Sequence, residues 1–187
     1  MIKRLFDILI SFTLATILIV PLIIIFILVK MTSKGPAIHW SKRIGLNNEI
    51  FLMPKFRSMF VETPQVASHL LKNPDTFVTP VGKVLRKTSL DELPQLFSVL
   101  RGDMSLVGPR PALFNQDDLR DLRTQYGIEK LRPGVTGWAQ INGRDDLPIP
   151  VKVGFDKEYL EKHGLFLDLK ILVLTVFRVL QSSGVKH

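Results

Sequence analysis

From Leu5 to Val29 the chain is almost uninterrupted hydrocarbon, while charge is spread through most of residues 30–187. A straight helix over the apolar run is about 37 Å long at about 1.5 Å per residue, enough to cross a hydrocarbon core of about 30 Å. Lys3 and Arg4 precede the run, and Lys30, Lys34, Lys42 and Arg43 come after it. Positive charge at both ends gives the positive-inside rule no side to choose. Two geometries meet the pattern. One is a spanning helix that tolerates Pro21; the other is a re-entrant hairpin that breaks at Pro21 and leaves by the face it entered. Proline favours a break because it lacks a backbone donor and its ring crowds the preceding turn. Thr13 and Thr16 are placed upstream to satisfy the freed carbonyl. A cleaved signal peptide fits poorly, since the run is long and no small-residue cleavage site comes after it.

Downstream the period changes. Ala37 to Trp40 and Ile50 to Met53 alternate around Gly45-Leu-Asn-Asn48, which predicts a β-hairpin within 35–60. Lys55-Phe-Arg57 puts both cations on one strand face, or marks a solvated strand. Prolines at 64, 74 and 80 predict loop over 62–79 with one short helix. Asp117 to Tyr126 reads as a helix with Leu119, Leu122 and Tyr126 on one face, Arg120 and Arg123 elsewhere, and Gly127 at its end. Arg132 to Trp138 is turn-rich. Phe155 to His163 predicts a short helix closed by Gly164. Leu165 to Leu180 is too charged and too short to span, and fits a helix buried on the domain or lying among headgroups.

Length and composition narrow the class. At 187 residues the chain is one domain, or one domain plus a membrane segment. Its net charge of +8 suits anionic partners: nucleic acid, an acidic lipid surface or phosphate-bearing substrates. Nucleic acid is the weakest of these, because no RNA-binding aromatic signature or zinc-finger spacing is present. Without cysteine there is no thiolate nucleophile and no disulfide.

Chemistry concentrates between Val81 and Pro111. Lys83, Arg86 and Lys87 precede Asp91-Glu92, and Arg110 comes next, set between two prolines. The structural explanation of the acids is strong: Ser89-x-x-Glu92 matches a capping box ahead of an apolar helix face. Pro94 argues for a helix beginning at Asp91 instead, which leaves both carboxylates at its tip. Arg110 tips the balance toward function. A guanidinium fork on a stiff proline support suits phosphate oxygens, and an acid pair beside it suits phosphate and a metal ion. Gln140-Ile-Asn142-Gly-Arg144 gathers amides and a guanidinium useful for a nucleotide or sugar, or forms a plain polar loop.

Five stretches in order, Lys3-Arg4-x-x-Asp7, Lys55-Phe-Arg57, Ser89-Leu-Asp-Glu92, Arg101 to Pro111 and Arg132 to Gln140, resemble the small bacterial polyprenol-phosphate phosphoglycosyl transferases. These are the monotopic bacterial sugar transferases, and the resemblance covers essentially the whole chain. It implies an α/β, mostly helical fold at the size of the minimal catalytic unit. A re-entrant membrane helix over 1–34, broken at Pro21, would precede a compact catalytic domain over 35–187 with amphipathic interfacial helices and a short β-hairpin. The resemblance implies transfer of a phosphosugar from a UDP-sugar to undecaprenyl phosphate with release of UMP, opening a bacterial glycan pathway. Asp91 matches the nucleophile and the expected ligand of Mg²⁺, and Glu92 its partner in positioning or proton handling. Lys55, Arg86, Arg110 and Arg144 match phosphate-binding residues; Arg57, Gln140 and Asn142 fall in the nucleotide and sugar region. Inner-membrane lipids on the cytoplasmic face are the implied surroundings, and a homodimer is compatible with the pattern. Asp145 to Pro150, which follows the shared motifs, is the expected sugar-discriminating region, with an N-acetylated hexose as the expected sugar. Three rivals stand beside this reading: direct single-step transfer, a non-catalytic membrane scaffold and a basic nucleic-acid binder.

Overall fold

The computed structural model describes residues 2–64, 74–143 and 147–180. The apolar run forms α1 (Ile2–Ile17) and α2 (Ile19–Thr32), which meet at a 64° bend. The break falls at Leu18, and Pro21 sits one turn later, in the first turn of α2. Pro21 withholds the donor that the Ile17 carbonyl would accept, and its ring presses on that carbonyl, so the distortion emerges upstream. A first turn has no intrahelical use for its amides, so α2 tolerates the ring. Thr13 and Thr16 do not serve the break. Their hydroxyls donate to the Leu9 and Phe12 carbonyls at 2.8 and 2.9 Å, back along α1.

Both ends of this bent pair rest on one folded body. Arg4 donates to the Val99 and Leu100 carbonyls at 2.6 and 2.9 Å. Lys3 pairs with Asp168 at 2.6 Å. Asp7, buried, accepts from the Ser105 hydroxyl at 2.8 Å and the Leu106 amide at 3.2 Å. At the far end Ile25 and Val29 pack with Phe56 and Leu85. With the 64° bend and about 1.5 Å per residue, Leu18 stands about 12 Å from the line joining the outer ends. Among the described residues no single helix is long and apolar enough to cross a membrane; the bent pair together meets that test.

The rest is mostly helical, with two small sheets. Antiparallel β1 (Ile38–Ile44) and β2 (Ile50–Phe56) pair Ile38 with Phe56 and Ile44 with Ile50, as the alternation predicts. Asn47 and Asn48 turn the hairpin at φ 53° and 62°, a region asparagine tolerates. Then come α3 (Pro80–Thr88), capped by Thr79 accepting from the Gly82 amide at 2.9 Å, and α4 (Gln95–Arg101). The turn-rich segment holds a strand: β3 (Ser105–Val107) pairs in parallel with β4 (Gly134–Thr136). A Cβ at Gly134 would collide with the Gly108 amide nitrogen, so this approach requires glycine.

Between the two strands lies α5 (Asp117–Gln125), ended by Gly127 at φ 73°. After β4 come α6 (Trp138–Asn142), α7 (Ile149–Lys162) and α8 (Leu165–Leu180). Pro148 and Pro150 open α7 six residues before its expected start, so Ile149 and Pro150, at the end of the expected sugar-discriminating region, lie in a helix. In α8, Asp168 and Ile171 are buried while Phe166 is 85% exposed. Met53, Leu96, Val99, Met104, Leu106, Tyr159 and Ile171 form the main core beneath the acid pair.

Candidate active site

Neither expected helix register survives at the acids. Ser89 ends α3 in the left-handed region, φ 57° and ψ 17°, and its side chain makes no capping bond. Leu90–Glu92 then form a single 3-10 turn, and α4 begins only at Gln95. A left-handed serine is strained, and here it redirects the chain so that the Glu92 side chain meets β2 and the Arg110 segment. Pro94 stands just before α4, where no amide is needed.

Glu92 is held from two sides. Lys55, projecting from β2, reaches its Oε1 at 2.9 Å, and Arg110 reaches the same oxygen at 3.0 Å. Burial opposes the charge on Glu92, but Arg110 and Lys55 overcome it and hold the carboxyl well below the usual carboxylate range. Burial likewise lowers Lys55, with Glu92 offsetting part of the effect. Asp91 differs. It is 8% exposed, and among the described residues no hydrogen bond or ion pair reaches its carboxylate. Burial pushes its pKa up, and the neighbouring Glu92 charge adds to this. Lys55, Arg86 and Arg110 pull the other way without cancelling the rise. The pair thus divides into a fixed anion, Glu92, and a poorly solvated carboxylate, Asp91, that no described residue engages. The latter can attack an electrophile or ligate a cation.

Among the described residues no group of three or more His, Asp and Glu side chains forms a metal cage. A lone unbonded carboxylate fits an ion that takes one or two protein carboxylates and completes its shell with phosphate oxygens and water, as Mg²⁺ does.

The other expected residues scatter. Arg86 acts on Asp91 through its charge, whereas Lys83 and Lys87 on the same helix are exposed. Arg57, expected on the same strand face as Lys55, is buried and donates to the Lys34 carbonyl at 3.0 Å. It therefore ties down the α2–β1 connection. Gln140 and Asn142 lie on α6. Both Gln140 amide atoms are buried without a hydrogen bond among the described residues, and Asn142 donates to the Trp138 carbonyl at 2.8 Å. Arg144, with Asp145 and Asp146, falls outside the described residues.

Two features escaped the sequence. Arg123, placed off the apolar face of α5, is buried and pairs with Asp156 at 2.6 Å. Its position one turn after Leu119 was the available signal. The second is an apolar groove of about 400 Å³ lined by α2 (Ile19, Leu22, Ile23, Phe26), the hairpin (Ile38, Trp40, Pro54, Phe56), Pro94 and Phe97. It comes within two residues of Glu92.

A family model described as bacterial sugar transferase matches residues 1–182. The chain is similar to the exopolysaccharide production protein ExoY of Rhizobium meliloti (strain 1021), 39% identical over 200 residues, which take in 98% of this chain and 88% of that protein. It is 43% identical over 187 residues to the UDP-glucose:undecaprenyl-phosphate glucose-1-phosphate transferase of Escherichia coli (strain K12), covering 95% of this chain and 40% of that one. With the undecaprenyl-phosphate galactose phosphotransferase of Salmonella typhimurium it shares 38% over 198 residues, 97% of this chain and 41% of the relative. The chain therefore spans less than half of the last two.

Proposed function

This chain belongs to the bacterial sugar transferase family, and on that premise we propose that it transfers a phosphosugar from a UDP-sugar to undecaprenyl phosphate, releasing UMP. The observation that carries this reading is Asp91: a buried carboxylate to which no described residue donates, beside a Glu92 that two cations already hold. In the first step an Asp91 oxygen attacks the sugar-bearing phosphorus. The bond from that phosphorus to the bridging oxygen breaks, and UMP departs with its electron pair, leaving an acyl phosphate on Asp91. In the second step an oxygen of the lipid phosphate attacks the same phosphorus and the Asp91 carboxylate is released. Lys55, Arg86 and Arg110 supply positive charge where the diphosphate would lie. Mg²⁺ held by Asp91 would neutralise the diphosphate. Engaged with Lys55 and Arg110, Glu92 keeps both cations beside Asp91.

The groove between α2, the hairpin and Phe97 supports a lipid acceptor, because its apolar lining takes in Pro54, the neighbour of Lys55, and Pro94, two positions after Glu92. The bent helices support a re-entrant anchor. An apex about 12 Å deep lies within one half of a core of about 30 Å, and both ends rest on the same body. With the anchor entering from the cytoplasm, the acids stay on the side where nucleotide sugars are made. Relatives named for glucose and galactose transfer widen the candidate sugars beyond N-acetylated hexoses.

The deciding experiment measures UMP release from a panel of UDP-hexoses and UDP-N-acetylhexosamines, with Mg²⁺ but without polyprenol phosphate, alongside intact mass. A stoichiometric burst with a phosphosugar adduct on Asp91 is expected. UMP that appears only once lipid phosphate is added would replace the two-step mechanism with direct transfer. No release even with lipid would return the chain to the scaffold reading.

A further inference from the structure

The segment that presents Arg110 is built entirely from borrowed donors. Pro109 and Pro111 have no N–H, so the segment cannot form a ladder of its own, and each successive carbonyl is taken by a group from elsewhere. The Gly134 amide donates to the Pro109 carbonyl at 2.9 Å, and the Ile44 amide to the Ala112 carbonyl at 2.9 Å. Arg43 donates to the Pro111 carbonyl at 3.1 Å. The Arg110 carbonyl itself accepts from Arg123 Nη1 at 2.9 Å. Arg123 is in turn fixed by Asp156, whose Oδ2 accepts from Nε at 3.0 Å and from Nη2 at 2.6 Å.

This arrangement is costly as plain structure. Arg123 and Asp156 are 8% and 1% exposed, and burial pushes the Asp156 pKa up despite the guanidinium beside it. Buried ion pairs often stabilise no better than apolar residues of the same volume. A guanidinium does here what no apolar residue can. It donates to the backbone of Arg110 while its remaining nitrogens are locked, and Asp156 cancels a cation that would otherwise stand behind Arg110.

We infer that Arg123 and Asp156 are a positioning pair that fixes the backbone of Arg110, so that its guanidinium meets Glu92 and the diphosphate of the donor. The inference rests on the phosphate-binding reading of Arg110. Neither residue touches substrate; Arg123 works through one carbonyl, and Asp156 works through Arg123.

A double-mutant cycle tests it in the full-length protein, with UDP as the probe and its Kd measured by titration calorimetry in Mg²⁺. R110Q and R123K are each expected to weaken UDP about tenfold, the scale of one hydrogen bond to a charged group. R110Q/R123K should bind no worse than R110Q alone, because Arg123 has nothing left to position. R123Q/D156N, which leaves no lone buried charge, should fold and show the same loss. Multiplying effects in the double mutant, or R123K binding like wild type while R110Q does not, would overturn the positioning role alone. If R110Q leaves UDP binding unchanged, Arg110 holds no phosphate, and the reading of the site falls together with this inference.

Discussion

Among the described residues four aspartates are almost wholly buried, and they fall into two kinds. Asp7, Asp156 and Asp168 are fully engaged: Asp7 by Ser105 and the Leu106 amide, Asp156 by Arg123, and Asp168 by Lys3 and by the Tyr159 hydroxyl at 2.7 Å. Asp91 is buried to a similar degree, and no described residue engages it in this way. A buried anion without partners is a cost that folding alone would remove, either by supplying a donor or by exposing the group. Burial by itself therefore does not separate the three engaged acids from Asp91, the acid proposed to react. What separates them is whether their oxygens are occupied.

The contrast can be broken most directly at Asp91 itself. Asp91→Asn keeps the shape and removes the charge, so turnover should fall to background while thermal unfolding stays near wild type; near-normal UMP release would remove Asp91 as the nucleophile. The reverse is expected at an engaged acid. Asp168→Asn leaves Lys3, a third exposed, facing a neutral group and should cost about 2 kcal/mol of stability, less than a fully buried pair because water screens Lys3. In that variant the melting temperature falls and the residual folded enzyme keeps its chemistry. If its kcat collapsed with stability intact, Asp168 would belong with the reactive acid instead.

A pH profile sharpens the comparison further. Burial raises the pKa of Asp91 and Lys55 lowers it, so the reactive, ionised form is lost on acidification sooner than for an ordinary carboxylate. Lys55→Gln removes a lowering influence, so the acid limb of kcat/KM should move to higher pH. A limb that stays in place would detach Asp91 from that limb. The smallest effect belongs to Ser105→Ala, which removes one of the two hydrogen bonds to Asp7. About 1 kcal/mol of stability should be lost in denaturant melts, with no change in UMP release.

Which parts of this were legible depended on how local their causes are. The hairpin could be read because its alternation and its asparagine turn lie within about twenty residues, and α5 because Gly127 ends it. The parallel pairing of β3 with β4 could not, since each strand is three residues long and the partners are far apart in sequence. At Asp91-Glu92 the residues were visible but their geometry was not. Local rules placed a helix start there, whereas a left-handed Ser89 inserts a separate turn. Lys3 and Arg4 were legible only in part. Their charge reads as a membrane flank; what the sequence does not show is that Lys3 also pairs with Asp168 and Arg4 with the end of α4, contacts that only the tertiary structure creates. Arg123 was misplaced for the same reason: its buried partner lies in α7, 33 positions on.

The shallow bend at Leu18 carries a mechanical consequence. If the bent pair seats in a single leaflet, as proposed, such a wedge would add cross-sectional area to that monolayer and none to the opposite one. Each molecule inserted would therefore stretch one sheet of lipid relative to the other and favour regions already curved toward the protein. The density of enzyme a membrane accepts, and where in the cell it gathers, would then depend on lateral pressure as well as on the supply of substrate.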